Sequence, residues 1–326
     1  MPQYLQQRII KAKTTFPLMM VFALLLWFMG IEWPLNSMTT ISGWWGNISC
    51  PTWITEGANL LLCLYILYQL AEVNNAYSLV KRRTMLHGII FMLLWVSAPF
   101  SCHSIEANLL LCSLLTSISF LFRSFQQRES SVEIFNLFLF LGLSSVIALP
   151  TLCLIPLFYM AMWFFQSLSI RSFFAGLIGI LWPYWILFVY ALSADKLPLF
   201  TDLFDSFTHA MGHYADIPLM AWVLYGVSLV LFICSFAYIS YQYGRYKIRT
   251  RLLLSFLLWW TFFMMVMWAL FPLSYALFFP ILFMSVSILA GHLFSHTTTR
   301  LSSILFLVVS AILVSITIYS NLWILW

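Results

Sequence analysis

The chain contains few charged residues. Asp, Glu, Lys and Arg together make up 8% of its 326 residues, whereas an ordinary soluble domain carries roughly 25%. Hydrophobic residues account for 63% of the chain and aromatic residues for 19%. Because so few side chains prefer water, most of the surface of the folded chain must face lipid. This composition excludes a water-soluble globule and predicts an integral membrane protein.

Several chemical motifs are absent as well. The six cysteines show no C-x-x-C spacing, so neither a zinc site nor a redox motif is predicted. The sequence has no Gly-rich phosphate-binding loop and no H-E-x-x-H pattern. Each Asp, Glu, Lys and Arg lies within about two helical turns of a predicted membrane surface. Since ion-coupled transporters and proton pumps place ionisable groups at mid-membrane, that class of protein is disfavoured.

The sequence is built instead from long apolar runs. Runs of about 17 to 25 residues indicate helices, because barrel strands are shorter and alternate in polarity. We therefore predict an all-α bundle of eleven spans that forms a single integral-membrane domain over residues 1–326. The predicted spans are about 16–31, 57–72, 85–99, 107–122, 133–149, 152–169, 173–193, 217–240, 252–270, 274–294 and 301–324.

The basic residues set the predicted orientation. When the spans are threaded alternately from a cytoplasmic N-terminus, fourteen of the fifteen Lys and Arg residues fall on the cytoplasmic side and only Lys196 falls outside. Cytoplasmic loops of membrane proteins carry such an excess. The acidic residues lean towards the outer side. We therefore predict that the C-terminus is outside, and that the basic residues orient the chain rather than bind nucleic acid.

A short internal similarity suggests a duplicated helical hairpin. Residues 56–63 read EGANLLLC and residues 106–112 read EANLLLC, and both copies begin at the predicted outer surface. In each copy an Asn follows the Glu slightly deeper in the membrane. Two acids and two amides at one depth can bind a cation or sugar hydroxyls, but the alternative, in which they join packed helices, is favoured. The candidate residues are Glu56, Asn59, Glu106 and Asn108.

The long outer loop carries an amphipathic pattern. Apolar residues at helical spacing predict a helix on the outer surface over about 199–216. On its polar face His209 and His213 are four residues apart and Asp205 lies one turn earlier, so the three side chains can ligate zinc. A solvated polar face is the favoured alternative, because spacing alone supplies no supporting contacts for a metal. The sequence assigns no cofactor.

Two cysteines, Cys50 and Cys102, fall on the predicted outer side. An oxidising compartment there permits a disulfide between them. The sequence gives no distance between the two residues, so unpaired thiols remain the default interpretation.

Residues 123–192 carry a family resemblance. They contain RSFQQRESSVEIFNLFLFLGLSS, then ALPTLCLIPLFYMAMWFF, then SIRSFFAGLIGILWPYWIL. This stretch resembles an uncharacterised family of multi-pass inner-membrane proteins of Bacteroidota. The resemblance implies a helical membrane fold in the bacterial inner (cytoplasmic) membrane and implies no established activity.

The chain also resembles the polyprenol-dependent integral-membrane glycosyltransferases of the C-type fold. The resemblance rests on Glu32, which lies just after the first span in the sequence GIEWP and within a Trp-rich loop. It implies that Glu32 is a general base that activates an acceptor hydroxyl, with a lipid-linked glycan as substrate. The chain departs from the family pattern, because such enzymes hold a phosphate on the outer side with Arg or Lys and only Lys196 is predicted there.

Three functions are therefore considered. The first is a non-catalytic subunit in envelope biogenesis or assembly, which contacts the lipid bilayer and other membrane proteins. The second is the glycosyltransferase that uses Glu32, and an outward cavity beside Glu32 favours it over a closed bundle packed with Leu and Phe. The third is a channel or facilitator, which requires a polar pathway between spans. The candidate residues for that pathway are Asn59, Asn108, Asn136 and Gln166.

Overall fold

The described residues of the protein form a bundle of helices and one β-hairpin. The computed structural model describes residues 15–31, 38–43, 46–77, 79–80, 85–127, 130–193, 207, 214, 217–297 and 300–323. The α-helices are α1 (Thr15–Met29), α2 (Thr52–Tyr77), α3 (Leu86–Val96), α4 (Pro99–Cys102), α5 (Ile105–Arg123), α6 (Ser131–Ile147), α7 (Ile155–Phe164), α8 (Ile170–Ser193), α9 (Leu219–Gln242), α10 (Ile248–Leu270), α11 (Tyr275–His296) and α12 (Arg300–Trp323). Short 3₁₀ turns cover Leu149–Leu154, Tyr243–Arg245 and Pro272–Ser274. The hairpin consists of β1 (Met38–Gly43) and β2 (Gly46–Pro51).

The described helices are those of a multi-pass membrane protein. Seven of them are long and apolar enough to cross a membrane, namely α2, α5, α8, α9, α10, α11 and α12. Four shorter apolar segments fall where the remaining spans are predicted, namely Pro17–Met29, Leu86–Val96, Ser131–Ile147 and Leu149–Phe164. The number of crossings and the orientation of the termini stay predictions.

The hairpin is a departure from the all-α prediction. β1 and β2 pair antiparallel, with Met38 opposite Pro51 and Gly43 opposite Gly46, in a segment for which the sequence predicts only a Trp-rich loop. The β-branched residues of the two strands, at positions 39, 40, 41 and 48, favour an extended backbone. The loop prediction over this segment is therefore wrong where the two strands pair.

Three prolines are predicted to lie inside spans. Pro183 in α8 and Pro280 in α11 do so. Pro156 also lies within an apolar segment, Leu149–Phe164, where it occupies the first turn of α7 just after the 3₁₀ turn Leu149–Leu154. In a first turn the missing N–H of proline has no helical partner to lose.

Helix α11 forms the centre of the bundle. Every residue from Phe278 to Ser295 is buried, and α11 packs against α3, α5, α9 and α10. Large aromatic side chains of α10, such as Trp260 and Trp268, are fully buried beside it, as is Phe283 of α11 itself. Because lipid is as apolar as these side chains, close packing rather than exclusion of water holds the helices together.

Helices α6 and α8 approach each other through glycines. A Cβ atom added to Gly179 would lie 2.6 Å from the carbonyl oxygen of Phe135, and one added to Gly142 would lie 2.9 Å from that of Ile180. Small residues that bring two backbones together are typical of helix contacts in membranes. The α6–α8 contact is therefore a backbone contact that larger residues would separate.

The contacts between connecting segments define two ends of the bundle. At one end the Arg249 guanidinium lies 4.8 Å from the ring centroid of Tyr77. At the other end Ser101 Oγ donates a hydrogen bond to the carbonyl oxygen of Ala276 (2.6 Å). We call the first the basic end, because it carries Arg123, Arg171, Arg245, Lys247, Arg249 and Arg251. We call the second the acidic end, because it carries Glu56 and Glu106.

Candidate functional site

A polar cluster lies at the acidic end, where α2, α3, α5 and the link between α4 and α5 meet. Glu56 and Asn59 are one turn apart on α2, Asn108 is in the first turns of α5, His103 is in the link, and Trp95 is on α3. All of these side chains are buried except that of His103, which is partly buried. We call these five residues the acidic-end cluster.

The two asparagines of the internal repeat bond to each other within this cluster. Asn108 Nδ2 donates to Asn59 Oδ1 (3.0 Å) and to the carbonyl oxygen of Cys102 (3.1 Å). Asn59 Nδ2 donates to the carbonyl oxygen of His103 (2.8 Å), and Trp95 Nε1 donates to Asn108 Oδ1 (2.9 Å). This geometry joins four segments of the bundle, and amides in membrane helices often have that role. Binding of a cation or a sugar by the same amides stays a prediction.

His103 and Glu56 form a shielded pair. His103 Nδ1 lies 2.8 Å from Glu56 Oε2, and the two side chains are only 18% and 12% exposed. Burial alone lowers the pKa of His103, but the neighbouring Cys102 and Glu56 outweigh burial and raise this pKa to about 10. The Cys102 thiol donates to the carbonyl oxygen of Pro99 (3.8 Å), and the Glu56 carboxylate is the group that hydrogen-bonds the imidazole.

Two ring nitrogens beside this pair have no hydrogen-bond partner among the described residues. They are Nε2 of His103 and Nε1 of Trp27, and both atoms are buried. Trp27 of α1 stacks on the His103 ring, with centroids 5.7 Å apart and planes at 17°. Buried polar groups in proteins are nearly always partnered. Among the described residues, these two nitrogens are exceptions to that rule.

The fourth residue of the predicted binding set stands apart. Glu106 is partly buried in the first turn of α5, where Ser104 caps the helix by accepting a hydrogen bond from the Ala107 amide (3.3 Å). Within the described residues its carboxylate has no hydrogen bond or ion pair. A carboxylate at that position is stabilised by the helix dipole. The structure thus brings together Glu56, Asn59 and Asn108 but leaves Glu106 outside the cluster.

Two other predicted sites lie outside the described residues. These are the candidate base Glu32 and the zinc set Asp205, His209 and His213. Of the amphipathic segment only Phe207 and Tyr214 are described, and the Phe207 ring packs edge-on against Phe271 at 5.3 Å. Within the part of the chain that the structure describes, no group of three His, Cys, Asp or Glu side chains could hold a metal ion.

The structure shows no disulfide between Cys50 and Cys102. Cys102 is buried in α4, and its thiol donates to a backbone carbonyl of its own turn. Cys50 lies in β2, opposite Thr39 of β1. The predicted pairing therefore has no support in this structure.

The four amides considered for a channel do not form one line. Asn59 and Asn108 are used in a mutual hydrogen bond at the acidic end. Gln166 is exposed beyond the last turn of α7, and Asn136 is partly buried in α6. These positions give no support for a polar pathway through the described part of the bundle.

A second buried histidine lies at the basic end. His292 Nδ1 lies 2.5 Å from the carbonyl oxygen of Leu79, and its Nε2 lies 2.9 Å from the hydroxyl of Tyr246. The sequence suggests an interfacial residue here, but His292 is only 1% exposed. Because both ring nitrogens have partners, this histidine joins connecting segments, whereas His103 retains an unused nitrogen.

Three residues of the site were not predicted from the sequence, because no motif marks them. These residues are His103, Trp95 and Trp27. One signal was present in the sequence, because His103 lies three residues before the second copy of the repeat and on the predicted acidic side. An ionisable residue beside a repeated Glu–Asn pair is a natural candidate partner for that pair.

Comparison of the chain with protein-family models, curated proteins and solved structures gives no match. The site is therefore interpreted from its own geometry. That geometry has two parts, which are an amide network that joins helices and a carboxylate-paired imidazole whose second nitrogen has no described partner.

Proposed function

We propose that the protein is a non-catalytic subunit in envelope biogenesis or assembly, and that it works through helix contacts with other membrane proteins. The observation that carries this proposal is the filled centre of the bundle, where α11 is buried without interruption from Phe278 to Ser295. The amides Asn59 and Asn108 join helices in the same way. The proposed location, the bacterial inner membrane, rests on the resemblance of residues 123–192.

Helix α8 offers a surface for such contacts. It packs mainly against α6, and its other side exposes Trp182 (49%) and Trp185 (62%). Both residues lie near the middle of α8, whereas tryptophans that face lipid are enriched at the two membrane–water interfaces. Large aromatic side chains are also the residues that contribute most at protein interfaces. This placement supports α8 as the partner-binding helix.

Site-specific photocrosslinking tests the proposal. A benzophenone amino acid is placed at Trp185 in the full chain, expressed in its native membrane, with a matched position at Ile233, which is 55% exposed near the middle of α9. We expect a discrete cross-linked protein from position 185 and none from position 233. If both positions give only lipid adducts, the protein does not use α8 to bind a partner and the proposal fails.

A polyprenol-dependent glycosyltransferase is the second candidate, and the pair of His103 and Glu56 favours it. Trp27, which stacks on His103, precedes Glu32 by five residues in the sequence. A protonated imidazole would supply positive charge at an end of the bundle where basic residues are scarce. Complementation of a deletion strain distinguishes the two functions, because Glu32→Gln should abolish rescue by an enzyme and leave rescue by a subunit intact.

A further inference from the structure

An apolar groove lies between α9 and α10 in the half of the bundle that leads to the basic end. It has a volume of about 400 Å³ and is lined by aromatic side chains, among them Phe232, Phe236, Trp259 and Phe262. A smaller groove of about 170 Å³ shares Trp259, Tyr243 and Ser255 with it and reaches Phe164 of α7. The shared residues make the two grooves neighbours on one surface.

The dimensions of the larger groove suit one leaflet of a bilayer. One wall runs from Phe232 in α9 to Tyr243 in the 3₁₀ turn that follows α9, which corresponds to roughly 16 Å at about 1.5 Å per helical residue. The hydrocarbon layer of one leaflet is about 15 Å thick, half of the bilayer core. The groove therefore has the length of an acyl chain that lies parallel to the helices.

A cationic side chain lies beside the basic end of this groove. The Arg251 guanidinium lies 5.0 Å from the ring centroid of Tyr243, which lines the groove. Arg251 is one helical turn before Ser255, another lining residue. The Nε atom of Arg251 is buried and has no hydrogen-bond partner among the described residues. Because a guanidinium keeps its charge, an oxygen of an anion is the partner that fits it best.

The surroundings of Arg251 add to the positive charge. Arg245 and Lys247 lie between α9 and α10, and Arg249 lies in the first turn of α10. None of these side chains is paired with a carboxylate within the described ranges, where the one Arg–carboxylate ion pair joins Arg123 to Glu72. Basic pockets between membrane helices on the cytoplasmic side are sites where anionic lipid head groups bind. The predicted orientation places the basic end on that side.

We propose that an anionic glycerophospholipid binds here, with an acyl chain in the groove between α9 and α10 and its phosphate on Arg251. The apolar groove accounts for the chain, and the charged guanidinium of Arg251, which lies over the groove-lining ring of Tyr243, accounts for the phosphate. An apolar partner helix would occupy the groove but would leave the Arg251 donor without an acceptor. This assignment is independent of the function proposed for α8.

Lipid retention by the purified full-length protein tests the proposal. Native mass spectrometry is carried out after titration with phosphatidylglycerol or with phosphatidylcholine of the same acyl chains. We expect preferential retention of phosphatidylglycerol. Arg251→Gln should weaken its binding about tenfold, the effect of losing one charge-assisted hydrogen bond, whereas Arg171→Gln, an exposed cation at the same end, should leave binding unchanged.

A second variant tests the groove itself. Ser255→Phe fills the space shared by the two grooves and should reduce retention of phosphatidylglycerol while Arg251 is intact. Equal binding of the two lipids, or an equal loss in the Arg171 variant, would show only a diffuse basic surface and would overturn the proposal. Preferential retention of a polyprenyl phosphate over phosphatidylglycerol would also overturn it, because the occupant would then be an isoprenoid.

Discussion

The contact between α6 and α8 predicts that one added methyl group will destabilise the bundle. In Gly179→Ala the new Cβ would lie 2.6 Å from the carbonyl oxygen of Phe135 and 3.1 Å from the amide nitrogen of Leu139. Both are backbone atoms of α6, so neither can rotate away. Since ordinary van der Waals contact begins at 3.4 Å, the two helices must move apart by up to about 0.8 Å along that direction.

The expected magnitude follows from two opposing effects. Overpacking a close contact typically destabilises a protein by about 1–3 kcal/mol. Replacing a helical Gly by Ala stabilises the helix by roughly 0.5–1 kcal/mol. The net change for Gly179→Ala is therefore a loss of about 0–2.5 kcal/mol in the free energy of unfolding, centred near about 1 kcal/mol. The control is Gly226→Ala in α9, where an added Cβ meets nothing within 4 Å. That variant should gain about 0.5–1 kcal/mol.

Both changes are measured by reversible unfolding in mixed detergent and SDS micelles, with the helical circular dichroism signal as the readout. The two variants should shift the transition in opposite directions. Gly179→Ala protein that is as stable as the wild type would show that α6 and α8 are not held at backbone contact. A shift of both variants in the same direction would indicate that helix propensity, rather than packing, controls stability at these positions.

Two further predictions concern the acidic-end cluster. The raised pKa of His103 means that its pairing with Glu56 contributes fully to stability below the unfolded pKa of about 6.5 and that the contribution is lost as pH rises through about 10. The stability difference between wild type and Glu56→Gln should therefore shrink between these values, and a constant difference would contradict the pairing. Asn108→Leu leaves Trp95 Nε1 without its acceptor and should cost about 2–3 kcal/mol of unfolding free energy, whereas a neutral result would mean that the amide network is not formed.

The positions of the membrane helices were largely predictable. The sequence predicts spans at 252–270 and 274–294, and the structure has helices at Ile248–Leu270 and Tyr275–His296. Length and apolar composition decide these elements, because a backbone in lipid has few alternatives to a helix. Boundaries differ by a few residues, since apolar composition does not mark where helical hydrogen bonding begins.

The internal repeat shows why the site was harder to predict than the fold. The similar sequences of the two copies suggest that Glu56 and Glu106 are equivalent, although Asn59 follows Glu56 by three residues and Asn108 follows Glu106 by two. However, α2 begins at Thr52, so Glu56 lies in its second turn and points into the bundle, whereas α5 begins at Ile105 and Glu106 lies at its very start. The residue that pairs with Glu56 is 47 positions away in the link between α4 and α5. The pair of Glu56 and His103 forms only because the fold brings α2 next to that link.

Helix α3 carries a consequence for how the protein responds to bilayer thickness. At 11 residues and about 1.5 Å per residue it is roughly 16 Å long, about half of the hydrocarbon core. Every residue of α3 except Ile89 is buried, so lipid tails hardly touch it. Hydrophobic mismatch acts through contact with lipid. It should therefore affect mainly the peripheral helices α8, α9 and α12. In a thinner or thicker bilayer these outer helices should tilt, while the enclosed interior keeps its dimensions.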